Sequence, residues 1–260
     1  FHVFSFAPSF AALAELPLDE LVTALGDPAT KATIMGEVDK NRPMPLTGSL
    51  NDLLWQIFPL GDKPNYEPRR EESIAGLAAS SDEDPFPLMY ARLIMNDGKE
   101  LNYQPRADYQ QHTCDYFRKT RSHPNVLFGL SDGGAHCGII ADAGMPSFIL
   151  GHWARDRTNG EQFDLEFLVR KLSRDTAEAF GMLDRGLLQE GCLADVNIID
   201  FDALQLHRPE AVHDLPTGGK RLVQRVEGYR HIIKRGEEIF NDGEHTGALP
   251  GKLVRGGAVA

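Results

Sequence analysis

The run Asn125-Val126-Leu127-Phe128-Gly129-Leu130-Ser131-Asp132-Gly133-Gly134-Ala135-His136 constrains this chain more than any other, because a short apolar segment ends there in a carboxylate, two glycines and an imidazole. Residues 126–130 show no alternation of apolar and polar side chains, which predicts a strand covered on both faces. Asp132 then emerges at the carboxyl end of that strand, the end at which strand-helix folds build their sites from loops. Gly133 and Gly134 admit backbone angles closed to other residues and let a ligand or metal come close.

The flanking sequence supplies the helices that such a strand needs. Leu18, Leu21, Val22 and Leu25 share one helical face, and Asp27-Pro28 provides an N-cap and first-turn proline for a second helix through Met35. Residues 53–58 read as a strand or a short helix end, and residues 59–68 as a loop rich in Pro and Gly. Helices are expected near 71–79 and 86–95, the second ended by Asn96-Asp97-Gly98. A short strand at 101–103, a helix over 108–121 and the strand at 126–130 then form a βαβ unit with parallel strands. Further helices are expected near 147–155 and over 164–180, where Leu165, Leu168, Val169, Leu172, Thr176, Ala179 and Phe180 recur at helical spacing. Beyond Leu188 the pattern changes to strands, at 196–199, 222–226, 229–234 and 238–240, with turns at Gly228, Gly236 and Gly243.

Charge and cysteine usage narrow the class. Lys and Arg total 27 against 38 Asp and Glu, a formal net charge of −11, which disfavours nucleic acid and anionic membrane as partners. No apolar stretch reaches the length of a membrane span. Cys114, Cys137 and Cys192 are odd in number and contain no Cys-x-x-Cys pair, so a disulfide framework is not expected and the cytoplasm is the expected location. A small-molecule substrate, and a homo-oligomer of this chain, are the partners expected.

Three segments together carry a family resemblance. Ser131-Asp132-Gly133 at a strand end, residues 165–173 about thirty residues later, and Gly191-Cys192-Leu193-Ala194-Asp195-Val196-Asn197-Ile198-Ile199-Asp200 resemble the metal-dependent amidohydrolase superfamily, in its D-aminoacylase (N-acyl-D-amino-acid deacylase) branch. The resemblance runs from Leu53 onward and is strongest from Asn125 to the end. It implies an α/β fold in which residues 1–185 are the carboxyl-terminal part of a (β/α)₈ TIM-type barrel, and residues 186–260 part of a small β-sandwich domain. It also implies one or two Zn²⁺ ions and a hydrolase acting on non-peptide amide bonds. Asp132 would then serve as metal ligand and general base: a carboxylate takes a proton from a water made acidic by the metal and passes it to the departing nitrogen. His136, Ser131 and Tyr103 are the substrate-binding candidates that go with it. His136 can equally pack in the loop, and Tyr103, ending its strand, is as easily a core residue.

The chain also departs from that pattern. The superfamily carries a His-x-His pair on its first barrel strand, whereas the nine histidines here include none, and only His2 and His112 precede the last two expected strands with any chance of ligation. The chain opens inside what reads as a strand, residues 1–6, and too few residues precede the sandwich-like tail for eight strand-helix units. It therefore reads as the carboxyl-terminal half of a longer enzyme, truncated at its amino terminus and inactive alone, with most metal ligands upstream. D-aminoacylases also carry an arginine after the strand-end aspartate to hold the substrate carboxylate, and residues 137–146 contain no basic residue. A broader amide, carbamoyl or lactam substrate fits that difference.

Two other readings remain at the same place. Gly129-Leu130-Ser131-Asp132-Gly133 matches Gly-x-Ser-x-Gly, the nucleophile elbow of serine hydrolases, which needs a helix starting directly after the serine. Gly133-Gly134-Ala135-His136-Cys137-Gly138 is poor material for that helix. The other reading is a non-catalytic homologue built from the same parts. His152 beside Trp153 reads as a packed histidine. Lys220, Arg221, Arg225, Arg230, Lys234 and Arg235 alternate with apolar residues as the solvated face of strands does.

Overall fold

The computed structural model describes residues 3–45, 47–105, 109, 111–129 and 131–254. Phe1, His2, Asp108 and Leu130, which open or close three expected elements, lie outside them. The chain divides into two compact units, one of residues 1–61 and 65–113, the other of residues 62–64 and 114–260.

Helices dominate the first unit. These are α1 (Pro8–Leu13), α2 (Leu18–Gly26), α3 (Pro28–Glu37), α4 (Leu50–Leu53), α5 (Ile74–Ala79) and α6 (Pro85–Ile94), with one short hairpin, β1 (Pro43–Met44) with β2 (Gly48–Ser49), and one antiparallel pair distant in sequence, β3 (Phe58–Pro59) with β4 (Asn102–Tyr103). Asp27, the N-cap read from the sequence, accepts from the Thr30 N–H at 2.8 Å, and Asp84 caps α6 by accepting from the Phe86 N–H at 3.1 Å. Asn96, Asp97 and Gly98 end α6 in the left-handed region. Phe4, Ile34, Leu54, Ile74, Phe86 and Tyr90 form the centre of the core. The expected first strand is instead a 3₁₀ turn over Val3–Phe6 that sinks Val3 and Phe4 into this core. The run at 53–58 divides between a helix end, a 3₁₀ turn at Leu54–Gln56 and β3.

The second unit holds α7 (Asp115–Arg121), α8 (Met145–Gly151), which runs on as a π-turn over His152–Asp156, α9 (Leu165–Leu172) and α10 (Arg174–Ala179). The single helix expected over 164–180 breaks at Ser173, whose hydroxyl donates to the Val169 carbonyl at 2.6 Å while Thr176 donates to the Lys171 carbonyl at 2.9 Å. Such local side-chain bonds compete with the helix ladder. The expected helix over 108–121 begins only at Asp115.

Strands close the chain: β5 (Val196–Ile199), β6 (Gln205–Leu206), β7 (Glu210–Val212), β8 (Arg221–Val223), β9 (Val226–Glu227), β10 (Tyr229–Lys234), β11 (Glu237–Asn241) and β12 (Glu244–His245). One sheet has the order β12-β11-β10-β5, and β6 with β9 and β7 with β8 make two smaller pairs. The segment expected as one strand at 222–226 is interrupted between β8 and β9. Gly228, Gly236 and Gly243 all take positive φ, as turns there require. The basic residues of this region are not merely solvated. Arg221 pairs with Asp214 at 2.6 Å, Arg225 with Glu210 at 3.0 Å, Arg230 with Asp200 at 2.8 Å and Lys234 with Asp195 at 2.5 Å.

The fold is thus mixed α/β, but every strand pair among the described residues is antiparallel and no closed barrel is formed by them. Val126–Gly129 in particular is not a strand; it is an irregular segment, half-buried over 126–128, with no ladder partner. Val126 bonds otherwise: its N–H donates to the His123 carbonyl, and its carbonyl accepts from Lys171. An apolar run needs a neighbouring strand to become one, and a buried lysine stands in that place. The parallel βαβ unit read from the sequence is therefore absent from the described residues.

Candidate active site

Ser131, Asp132 and His136 lie on one turn-rich loop of the second unit, residues 131–144, between the irregular segment 126–129 and α8. Local sequence shapes it. Gly134 takes φ +95° and His136 φ +43°, and the Ala135 N–H donates to the Asp132 carbonyl at 2.9 Å. A Cβ on Gly133 would stand 3.0 Å from that of Ala143 and 3.3 Å from Ser131 Oγ, so the two ends of the loop close on this glycine.

Tertiary contacts hold the loop at three places. At its entrance Lys171, on α9 and only 3% exposed, donates through Nζ to the Val126 carbonyl at 2.9 Å. In its middle the Leu222 N–H donates to the Cys137 carbonyl at 2.7 Å, tying the loop to β8. At its exit Gly144 approaches Leu206 of β6 so closely that a Cβ would come within 2.5 Å of Leu206 Cδ1. α8 is in turn linked to the strands. Ser147 and Tyr229 hydroxyls lie 3.0 Å apart, and Arg155 donates to the carbonyls of Phe201, Asp202 and Leu204.

Asp132 is exposed, and its backbone N–H donates to Oδ2 of Asp142 at 2.9 Å. A solvent-facing carboxylate on an anchored loop is free to accept a proton from a water or to bind a cation. His136 is exposed on the same loop. Ser131 is half-buried, and its hydroxyl makes no hydrogen bond to a histidine among the described residues. No helix starts after Ser131; the first begins at Met145. The elbow geometry, with an oxyanion facing a helix amino terminus, is therefore not built here.

Tyr103 belongs to the first unit. It is half-buried in an aromatic group, 6.5 Å from Phe58 and 5.2 Å from Tyr66 between ring centroids, with its hydroxyl donating to the Tyr66 carbonyl at 3.4 Å. His112 lies in the same unit, 5.9 Å from Phe58. Burial, then the Arg70 charge, holds its imidazole below the ordinary histidine value, so it is neutral at pH 7. His152 stacks on Phe148 at 4.6 Å, as a packed histidine does. Cys114 is buried, and Cys137 and Cys192 are half-buried.

A catalytic zinc ion takes roughly three protein ligands. No group of three His, Cys, Asp or Glu side chains among the described residues is placed to hold a metal ion. Asp132 by itself does not make such a site, so the donor set of the described residues does not fit a resident metal.

Two residues of this loop's framework escaped the sequence reading. Lys171 falls three positions after Leu168, on the buried face of α9, which is the signal that marks it. Asp142 is the one acidic residue in 137–146, a stretch searched only for arginine.

The pattern of the amidohydrolase family matches residues 81–240, more than half of the chain, a span that contains Asp132 and its whole framework. Over 106 residues, 41% of this chain, it is 31% identical to a D-aminoacylase from Alcaligenes xylosoxydans xylosoxydans, of which the matched stretch is 19%. The chain thus spans about a fifth of the length of that curated relative. No solved structure matches it.

Proposed function

Because this chain belongs to the amidohydrolase family, we propose that it carries the proton-transferring aspartate of a D-aminoacylase-like enzyme that hydrolyses carbon–nitrogen bonds of non-peptide amides. The observation that carries this reading is the exposed carboxylate of Asp132 on a loop anchored at both ends, inside the span that matches the family. Asp132 accepts a proton from the attacking water as the tetrahedral centre forms, then returns it to the amide nitrogen as the carbon–nitrogen bond breaks. His136 and Ser131 lie on the same loop and contact substrate. Zn²⁺ is the metal such chemistry calls for. Its further ligands would lie outside the described residues, and no step is assigned to it. In the native enzyme the loop would follow the last strand of a (β/α)₈ barrel, with residues 186–260 in a β-sandwich.

The substrate is an N-acylated amino acid or a related amide. The absence of a basic residue at 137–146 favours the broader class over a strict N-acyl-D-amino acid. In the native enzyme, Asp132→Asn should remove most activity while keeping the fold, since an amide of the same size cannot accept the proton. Ser131→Ala should lose little. A dead Ser131→Ala enzyme that labels with an organophosphonate, and an active Asp132→Asn enzyme, would instead establish serine chemistry.

A further inference from the structure

We propose that Asp142 is the positioning residue for Asp132, an inference that rests on Asp132 acting as the proton acceptor. Asp142 Oδ2 accepts the backbone N–H of Asp132 at 2.9 Å across ten residues of loop. Its other oxygen, Oδ1, is shielded from solvent and makes no hydrogen bond among the described residues. Buried polar atoms are almost always paired, and an unpaired carboxylate oxygen is an expensive one to keep. A side chain kept only to fill space at this position would be apolar. Asp142 is instead retained as a carboxylate whose one bond within the described residues' side chains runs to the backbone of the residue that carries the chemistry.

The surrounding loop makes that bond decisive for direction. Gly133, directly after Asp132, is closed against Ala143, directly after Asp142, so the two aspartates sit where the loop folds back on itself. The Met145 N–H donates to the Asp142 carbonyl at 3.0 Å, which ties Asp142 to the first turn of α8. Asp142 therefore fixes the backbone of Asp132 to a helix while leaving the Asp132 carboxylate exposed. With Asp132 flanked by Ser131 and two glycines, no other side-chain bond to its N–H is available among the described residues. Losing this one lets the carboxylate wander, and small misplacements of a reacting group lower kcat more than KM.

Three variants of the native enzyme test it: Asp142→Ala, Asp142→Asn and Asp132→Asn, assayed for amide hydrolysis and, in the ¹⁵N-labelled chain, for exchange of the Asp132 amide proton. Asp142→Ala should lower kcat about tenfold or more with KM within about threefold, and Asp142→Asn, which keeps an oxygen facing the N–H, should recover most of the loss. Amide exchange at Asp132 should quicken at least about tenfold in the Ala variant, while that of Ala135, bonded to the Asp132 carbonyl, stays put. An Asn variant as impaired as Ala, an Ala variant with normal kcat, or unchanged Asp132 exchange overturns the proposal. So does an Ala variant that fails to fold, because a carboxylate that only aims a loop is not needed by the core. An active Asp132→Asn enzyme removes the functional reading itself, whatever the exchange data show.

Discussion

Lys171 Nζ donates to the Val126 carbonyl at 2.9 Å from a helix that begins about forty residues later, and the same ammonium lies 3.4 Å from the His123 carbonyl and 3.6 Å from Asp175. One buried cation thus occupies the place where a neighbouring strand would satisfy residues 123–126. The Arg170 bond holds the Asp175 carboxyl below its ordinary value, against the effect of burial, so a negative charge is present beside the lysine at neutral pH.

Lys171→Met keeps the aliphatic stem and removes the donor. The half-buried Val126 carbonyl and the more exposed His123 carbonyl lose their partner, a change worth about 1 kcal/mol. Urea denaturation should show that loss, with amide hydrolysis falling alongside as the entrance of the Asp132 loop loosens. An unchanged midpoint would show that water replaces the ammonium at no cost.

Gly228 turns the chain between β9 and β10 at φ +99°, where a Cβ would sit 2.7 Å from Leu204 Cα and 3.0 Å from the Asp200 carbonyl. Gly243, at φ +84°, has open space around it. Gly228→Ala should therefore destabilise by about 2–5 kcal/mol, dihedral strain and backbone collision together. Gly243→Ala should lose only about 1 kcal/mol, for the dihedral alone. Equal shifts in the two melting curves would refute the collision.

Asp195 joins the start of β5 to the β10–β11 hairpin, accepting from Lys234 Nζ at 2.5 Å and from the Arg235 N–H at 3.0 Å. Burial pushes this carboxyl up; those two bonds and the Lys234 and Arg185 charges outweigh it and leave the group below its ordinary value. A depressed carboxyl contributes stability above the unfolded pKa of about 4 and loses it as pH falls through the lower folded value. Asp195→Asn should thus be less stable than the parent at pH 7, with the gap narrowing below about pH 4. A gap that stays constant down to pH 3 would show that the charge of Asp195 contributes nothing.

No group of three His, Cys, Asp or Glu side chains among the described residues is placed to hold a metal ion, and a zinc site takes roughly three or four ligands. After washing with chelator, elemental analysis of this chain should find well under about one zinc per molecule. Stoichiometric zinc would reveal ligands among the residues not described, His2 and Asp108 included.

The sequence by itself determined several local elements and the family. Asp27-Pro28 and Asn96-Asp97-Gly98 start and stop helices through bonds and backbone angles that involve only a few adjacent residues, and they form as read. Residues 196–199 and 229–234 are strands as read, and the structure pairs them with each other. Ser131-Asp132-Gly133 and Gly191–Asp200 were enough to point to the family. Tertiary structure alone decided what the apolar run 126–129 became, because a strand is defined by its partner and the described chain presents a lysine there. It alone decided that Asp142, unremarkable in sequence, holds the backbone of Asp132; the break at Ser173 rests on a local bond to the Val169 carbonyl that apolar spacing does not report. Periodicity reports which face of a segment is covered; it carries no information about which distant group does the covering.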